Sequence, residues 1–319
     1  MKPVPILIVA LVPASLALAI AFGSVELGAT QLADALLGRG DEIAREIVWG
    51  VRAPRALAGF ACGGLLALAG ALLQVLLRNP LADPTILGVS GGAAAGALAA
   101  MLLGVSAAGL NLAALAGASI AAGAVFAFSL GRSGWNPYRV LLTGVALASG
   151  FGALVGLMLS LAPSSQVQGM LFWLLGDLSP AGDPTAALAV LAACAALAFS
   201  QSAALDVMIL GEDKARSLGV AVTRLQSIAF GCATLATVAA VLLGGSIGFV
   251  GLVVPHLLRL SGIHRHSVLL PLAACLGGSL LALADTLART AAAPAELPVG
   301  VITAMIGVPV LLLLLARLR

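Results

Sequence analysis

Charged residues divide this chain into long neutral stretches. A helix needs about 20 apolar residues to cross the ~30 Å hydrocarbon core of a bilayer, and a stretch of about twice that length crosses it twice. The pattern therefore predicts a polytopic membrane protein. Stretches without Asp, Glu, Lys or Arg include 84–131, 140–176, 184–205, 225–258, 266–284 and 297–316.

The apolar blocks predict ten membrane-spanning helices. The first lies near residues 4–23, and we expect it to be retained because its apolar run is longer than that of a signal peptide. Several spans are short or interrupted by Gly and Pro, which is tolerated where backbone is buried in protein or lines a cavity. This favours a transport protein over a simple anchor. The other nine spans are expected near 56–77, at two places within 84–131, and near 140–161, 185–200, 225–243, 253–261, 268–284 and 299–315.

Composition indicates how these helices pack. Hydrophobic residues make up 61% of the 319 residues, charged residues 9% and aromatic residues 4%. Frequent Ala and Gly favour close helix–helix contact through small side chains. Because little loop sequence remains, we expect an all-α membrane protein with a single transmembrane domain over residues 1–319.

The net charge of +3 is a topology signal rather than a nucleic-acid-binding surface. Short cytoplasmic loops carry an excess of Lys and Arg. With the N-terminus inside, one side holds eleven of these cations and the other holds five, so we expect both termini in the cytoplasm, contact with lipid and no nucleic-acid partner. The eleven are Lys2, Arg78, Arg132, Arg139, Lys214, Arg216, Arg224, Arg259, Arg265, Arg317 and Arg319. The five are Arg39, Arg45, Arg52, Arg55 and Arg289.

The chain shows no energy source of its own. Neither of its two lysines follows a GxxxxG loop, so it lacks a phosphate-cradling P-loop. The four cysteines are far apart and no HExxH occurs, so we expect no metal, no cofactor and no enzymatic activity. An intramembrane enzyme would also need a Ser/His or paired-Asp constellation, and none is found. An ion-coupled secondary transporter remains the alternative. It needs an ionisable group within the bilayer, and the only candidate, Asp285, is explained by an i,i+4 ion pair with Arg289.

The longest charged loop on the inner side covers about residues 206–224. Glu212 and Arg216 form an i,i+4 pair, and Gly211 and Gly219 bracket roughly two helical turns. A short polar helix on the cytoplasmic face suits docking to a soluble partner. A solvated loop held inside by its cations explains the same pattern, and the pattern alone leaves both interpretations open.

Several long motifs resemble one transport family. LGEDKARSLGV (210–220) is followed by GSIGFVGLVVPHLLRL (245–260). Three further motifs begin at Arg52, Leu141 and Pro294. They read RAPRALAGFACGGLLALAGALLQVLLRNPLADPTILGVSGGAAAGA, LLTGVAL and PAELPVGVITAMIGVPVLLLLL. In this order, over nearly the whole chain, they are similar to the FecCD family. These proteins are permease subunits of binding-protein-dependent ABC importers for iron–siderophores, haem and cobalamin.

The resemblance implies a type II ABC importer permease fold with ten helices, which works as a homodimer with two ABC ATPase subunits and a periplasmic binding protein. It assigns the inner loop to ATPase coupling, through Gly211, Glu212, Arg216, Leu218 and Gly219. It also implies that outer arginines hold carboxylates of the binding protein, for which forked guanidinium groups are suited. Anchoring of these arginines at the membrane interface is the alternative. The docking positions are Arg52, Arg55 and Arg289.

The same resemblance places a cytoplasmic gate at Asn79 and Leu81, with a second part at Pro137 and Tyr138. Relatives carry small hydroxyl residues in this second part, and here the chain reads Trp-Asn-Pro-Tyr over 135–138. The implied function is import of a metal chelate across the bacterial inner membrane, driven by partner ATPases. We expect an iron chelate as the substrate, because most members of the family transport iron chelates. Haem and cobalamin are the alternatives.

Overall fold

A computed structural model describes residues 4–131, 134–179 and 182–316. Over these ranges the chain is almost entirely helical, and its only strands are β1 (Leu130–Gly131) and β2 (Gly134–Trp135), which pair antiparallel. The predicted all-α class is confirmed. Four cations used for the orientation prediction lie outside the described residues, namely Lys2, Arg132, Arg317 and Arg319.

The helices follow one another with short connections. The first part of the chain holds α1 (Val4–Ala21), α2 (Ala29–Leu36), α3 (Glu42–Arg45), a π-helical segment (Glu46–Arg52), α4 (Ala53–Leu76), a 3-10 turn (Pro84–Leu87), α5 (Val89–Leu102) and α6 (Ala107–Ser129). The remainder holds α7 (Pro137–Leu161), α8 (Ser164–Leu175), α9 (Thr185–Ser200), α10 (Ser202–Met208), α11 (Glu212–Ser217), α12 (Val222–Gly244), α13 (Val250–Leu260), α14 (His266–Thr290) and α15 (Val299–Ala316).

Six helices in the described part of the chain are long and apolar enough to cross a membrane, or seven if α9 and α10, bent by 61°, are counted as one span. Three shorter apolar helices, α5, α13 and α15, lie at positions where further spans were predicted, and the number ten stays a prediction. The chain is a multi-pass membrane protein. The sequence did not predict α8, because no charged residue separates it from α7 within the neutral stretch 140–176.

Helix α4 lies at the centre of the bundle. In the most apolar 18-residue stretch of α4, 89% of the residues are buried inside the protein. In the corresponding stretch of α7, 11% of the residues are buried. Small residues allow backbones to approach closely in a membrane, where packing rather than hydrophobicity drives helix association. A Cβ atom at Gly63 would lie 2.2 Å from the carbonyl oxygen of Gly277 in α14, and one at Gly70 would lie 1.9 Å from that of Gly251 in α13. The packing of α4 therefore depends on glycine at these positions.

Replacing Gly63 by Ala is expected to destabilise the protein by ~1–3 kcal/mol, because the added methyl group overpacks the α4–α14 contact. The measurement is thermal unfolding of the purified protein in detergent. Gly123→Ala in α6 is the matched control, since a Cβ atom there meets nothing within 4 Å. Equal melting temperatures for both variants would contradict the assignment of Gly63 to a tight helix contact.

Candidate functional site

The predicted site residues lie at the two ends of α4. Arg52 and Arg55 lie at its beginning, and Arg78 and Asn79 follow its last turn. We call the first end, with Arg52, Arg55, Asp285, Arg289 and Glu296, the arginine end. The other end, with α11 and residues 78–88, is called the coupling end. A 24-residue helix of ~1.5 Å rise per residue separates the two by about 36 Å.

At the coupling end, the predicted short helix is present as α11. Gly211 before it and Gly219 after it both have positive φ, at 105° and 83°, which explains why glycine occupies both positions. Ala215, within this helix, is fully buried. Leu210 and Leu218 are 57% and 63% exposed at its two ends.

The preceding helix, α10, is tied to the bundle by contacts between Asp206 and His266. The carboxylate of Asp206 accepts a bond of 2.9 Å from the backbone N–H of His266, and its Oδ1 lies 2.6 Å from the Nδ1 of that residue. Because His266 begins α14, the α10–α11 unit is anchored to a long helix of the central bundle.

The carboxylate of Glu212 is engaged by other side chains of the same protein. Its Oε1 lies 2.7 Å from Nη2 of Arg78 and accepts a bond of 3.1 Å from Nε2 of the buried Gln226 in α12. Its Oε2 lies 3.6 Å from Nη2 of Arg216, so the predicted i,i+4 pair is confirmed as the longest of the three contacts. The carboxylate therefore joins α11 to the end of α4 and to α12.

The segment after α4 contains Asn79 and Leu81, the first part of the predicted gate. Oδ1 of Asn79 accepts a bond of 2.9 Å from the backbone N–H of Leu81, which closes a tight turn. Asp83 then caps the 3-10 turn by accepting bonds from the N–H and the hydroxyl of Thr85, at 2.9 and 2.6 Å. Burial raises the pKa of Asp83, and its hydrogen bonds oppose that shift.

This segment is held against the start of α13. Backbone groups of Phe249 and Leu252 lie close enough to Asp83 to favour its charged form. The amide of Gln74 donates to the carbonyl oxygens of Ala82, Gly251 and Leu252 at 3.2–3.4 Å. The Oε1 of Gln74 accepts from Arg259 of α13. The side chains thus connect the last turn of α4, the predicted gate segment and α13.

The second predicted part of the gate is the beginning of α7. Asn136 caps that helix by accepting bonds from the N–H groups of Tyr138 and Arg139, and Pro137 occupies its first position. Tyr138 is 77% exposed. Helix α7 meets the gate segment six residues further on, where a Cβ atom at Gly144 would lie 2.2 Å from the carbonyl oxygen of Ile86.

At the arginine end, Arg55 and Asp285 form a buried ion pair. Nε of Arg55 lies 3.2 and 3.0 Å from the two carboxylate oxygens, and Nη2 lies 2.9 Å from Oδ1. Nη1 donates to Glu296 at 2.8 Å. The predicted Asp285–Arg289 pair is present at 3.5 Å, but Arg55 is the closer partner of Asp285. Spacing along one helix could not reveal a partner 230 residues away.

Arg52 and Arg289 cap the end of α1. Arg52 donates to the carbonyl oxygens of Ile20 and Ala21, at 3.0 and 2.7 Å, and to that of Val25. Arg289 donates to the carbonyl oxygen of Ala19. The last carbonyl groups of a helix lack intrahelical partners and carry a partial negative charge, so guanidinium groups stabilise them.

The three arginines predicted to dock a binding protein are therefore buried. Arg52, Arg55 and Arg289 are 3%, 7% and 3% exposed, and their guanidinium groups bond within the chain. Docking through them stays a prediction, and it requires these internal bonds to open. Residues that the sequence analysis did not assign to the sites include Glu296, Arg78, Gln74 and Gln226. Only Arg78 carried a signal, as the cation next to the predicted gate.

The described ranges hold no group of three His, Cys, Asp or Glu side chains arranged to bind a metal ion.

Comparison with known proteins identifies the class. The FecCD transport family model matches residues 8–317, so the chain belongs to this family. It is 43% identical over 278 residues to the cobalamin import system permease protein BtuC of Halobacterium salinarum, covering 86% of this chain and 74% of that protein. It is 40% identical to the vitamin B12 import system permease protein BtuC of Escherichia coli O9:H4, covering 85% and 84%.

Solved structures are similar over the whole fold. A metal-chelate type ABC transporter in an inward-facing conformation matches with a TM-score of 0.87 at 28% identity, covering 99% of this chain and all of that one. PsaBC from Streptococcus pneumoniae in complex with Fab matches with a TM-score of 0.56 at 16% identity, covering 88% and 94%, a likeness of fold alone. The predicted ABC importer permease fold is confirmed.

Removing one partner of the buried ion pair should be costly. Arg55→Ala leaves Asp285 buried without its main cation and is expected to destabilise the protein by ~3–5 kcal/mol. Arg55→Ala with Asp285→Ala should recover part of that loss, because no unpaired carboxylate remains. The measurement is thermal unfolding in detergent, with the exposed Arg39→Ala as control. A double variant less stable than Arg55→Ala would exclude direct pairing.

Proposed function

We propose that this chain is the membrane permease subunit of a binding-protein-dependent ABC importer and that cobalamin is the metal chelate it carries. The observation that carries the proposal is the identity of 43% and 40% to two cobalamin import permeases, over 86% and 85% of the chain. Iron–siderophores and haem, which the family resemblance also allows, become the competing substrates. Fold and family support transport by alternating access of a pathway between two permease copies.

The exposed face of α7 supports a homodimer. Only 11% of its apolar window is buried within one chain, and Leu142, Val145 and Leu157 are 70%, 56% and 54% exposed. We place this helix beside the pathway shared with the second copy. The gate segment meets α7 at Gly144, so movement of that segment reaches the proposed pathway directly.

Energy comes from two partner ATPases in the proposed importer. This chain lacks a P-loop, and its relatives are named as permease proteins. The exposed Leu210 and Leu218 beside α11 provide a surface on which the ATPases dock. The alternative, an ion-coupled secondary transporter, would need a free carboxylate within the membrane. Asp285 does not meet that need, because Arg55 and Arg289 hold it.

The orientation follows from the proposed partners and the charge bias. ATPases are cytoplasmic, so the coupling end and both termini face the cytoplasm, and the arginine end faces outward from the inner membrane. The excess of Lys and Arg in the loops predicted to be inside agrees with this orientation.

For the binding protein we retain Arg52, Arg55 and Arg289 as docking residues, with Arg55 as the first point of contact. Its partner Glu296 has a side chain that is 28% exposed, whereas that of Asp285 is 2% exposed. A carboxylate of the binding protein can therefore take the place of Glu296 on Nη1 without breaking the deeper pair. Glu296 then serves as the internal carboxylate that orients Arg55 before docking.

The test is uptake in vesicles containing the permease, its ATPases and its binding protein. We expect ATP-dependent uptake of cobalamin in preference to ferric siderophore or haem, and none when the ATPases are omitted. The permease alone should hydrolyse no ATP. Preferential uptake of a ferric siderophore would overturn the cobalamin assignment, and uptake driven by an ion gradient without ATPases would overturn the ABC importer assignment.

Docking of the ATPases should depend on the apolar residues beside α11. Leu210→Asp with Leu218→Asp is expected to reduce ATPase co-purification at least tenfold, since ~1.4 kcal/mol corresponds to tenfold and each buried leucine contributes ~1.5–3 kcal/mol. The control is Leu37→Asp, which is 68% exposed and lies on the predicted outer side. Unchanged co-purification would mean that the ATPases bind elsewhere.

A further inference from the structure

The contacts of Glu212 distinguish anchoring of α11 within the chain from docking to a partner. Its side chain is 22% exposed and is engaged by Arg78 and the buried Gln226 on one oxygen and by Arg216 on the other. A carboxylate held in this way offers little to a docking partner. It is instead a point at which α11 is fastened to the end of α4.

Arg78 has an unusual backbone for its residue type. It has φ of 48°, in the left-handed region where glycine is preferred. Its N–H bonds to the carbonyl oxygen of Val75, and the N–H of Asn79 bonds to that of Gln74, both at 3.2 Å. These are the bonds of a Schellman motif, in which the left-handed position is usually Gly. An arginine there carries a conformational cost that glycine would avoid, so its side chain is the feature to be explained.

The side chain of Arg78 connects two functional segments. Its guanidinium contacts α11, on which we propose that the ATPases dock, and its backbone continues directly into Asn79 and Leu81 of the predicted gate. From there, Asp83 and Gln74 hold the segment to the start of α13. The ion pair thus lies on a continuous chain of hydrogen bonds that runs from α11 through the gate segment to α13.

We propose that Arg78 is a positioning residue that transmits displacement of α11 to the gate segment, and that Glu212 anchors it rather than contacting the ATPase. This inference rests on the proposed coupling role of α11. A pair with 42% and 22% of its side chains exposed contributes little to stability. Its loss should therefore alter coupling while the folded protein and its complex persist.

Arg78→Gly provides a sharp test, because it removes the side chain and relieves the backbone cost at the same position. In the reconstituted complex we expect ATPase co-purification to remain within about twofold of wild type. Cobalamin transported per ATP hydrolysed should fall by about tenfold, within the range typical of coupling between sites. Glu212→Gln should have the same two effects, since it keeps the side-chain shape and the contact with Gln226 but removes the charge.

The charge-swapped variant Arg78→Glu with Glu212→Arg should recover part of the transport per ATP, because it restores an ion pair but places two cations side by side at positions 212 and 216. The amide of Gln226 can rotate to accept a bond from the new arginine. Arg265→Ala, at an exposed arginine before α14, is the control and should behave like wild type.

The outcomes separate this inference from the proposed function. Unchanged transport per ATP in Arg78→Gly would overturn the transmitting role of Arg78. Loss of ATPase co-purification in Glu212→Gln would identify Glu212 as a docking contact and overturn its anchoring role. A wild-type complex that binds no ATPase, or transports nothing, would instead contradict the proposed function itself.

Discussion

Close backbone contact around α4 is the constraint on which both candidate sites depend. Lipid tails are as apolar as the helices, so association relies on packing and on small residues at the contacts. Gly63 and Gly70 bring α4 against α14 and α13 at distances that leave no room for a Cβ atom. This contact fixes the arginine end and the coupling end relative to one another, because each is built on an end of the same helix.

The two ends use charge differently. At the arginine end the ion pair is nearly fully buried, and a buried charge is tolerated only when it is paired and hydrogen-bonded. Arg55 therefore has two carboxylate partners, while Arg52 and Arg289 bond to the carbonyl groups that end α1. At the coupling end the Arg78–Glu212 pair is partly exposed, which makes it weaker and easier to rearrange. A rigid arginine end and an adjustable coupling end suit the proposed alternation of access.

These arrangements also distinguish transport driven by partner proteins from transport driven by ions. An ion-coupled transporter keeps an ionisable group in the membrane available to its ion. Here Asp285 is saturated by guanidinium groups, and Asp83 by hydroxyl and backbone donors. Leu210 and Leu218, which are exposed beside α11, are available to a soluble partner. The fold and the family show an importer permease, and the charge placement supports the proposal that its energy comes from other chains.

The sequence by itself determined the membrane class, the short helix between Gly211 and Gly219 and the family, because charge spacing, glycine at left-handed positions and long motifs are local properties of a chain. It also indicated the three arginines and the segment where the gate is predicted. Only the tertiary structure decided their partners. Arg55 meets Asp285 across 230 residues, and Glu212 meets Arg78 across the bundle, since helix packing rather than sequence spacing brings such groups together. For that reason the i,i+4 pairs visible in the sequence proved to be the secondary contacts, at 3.5 and 3.6 Å.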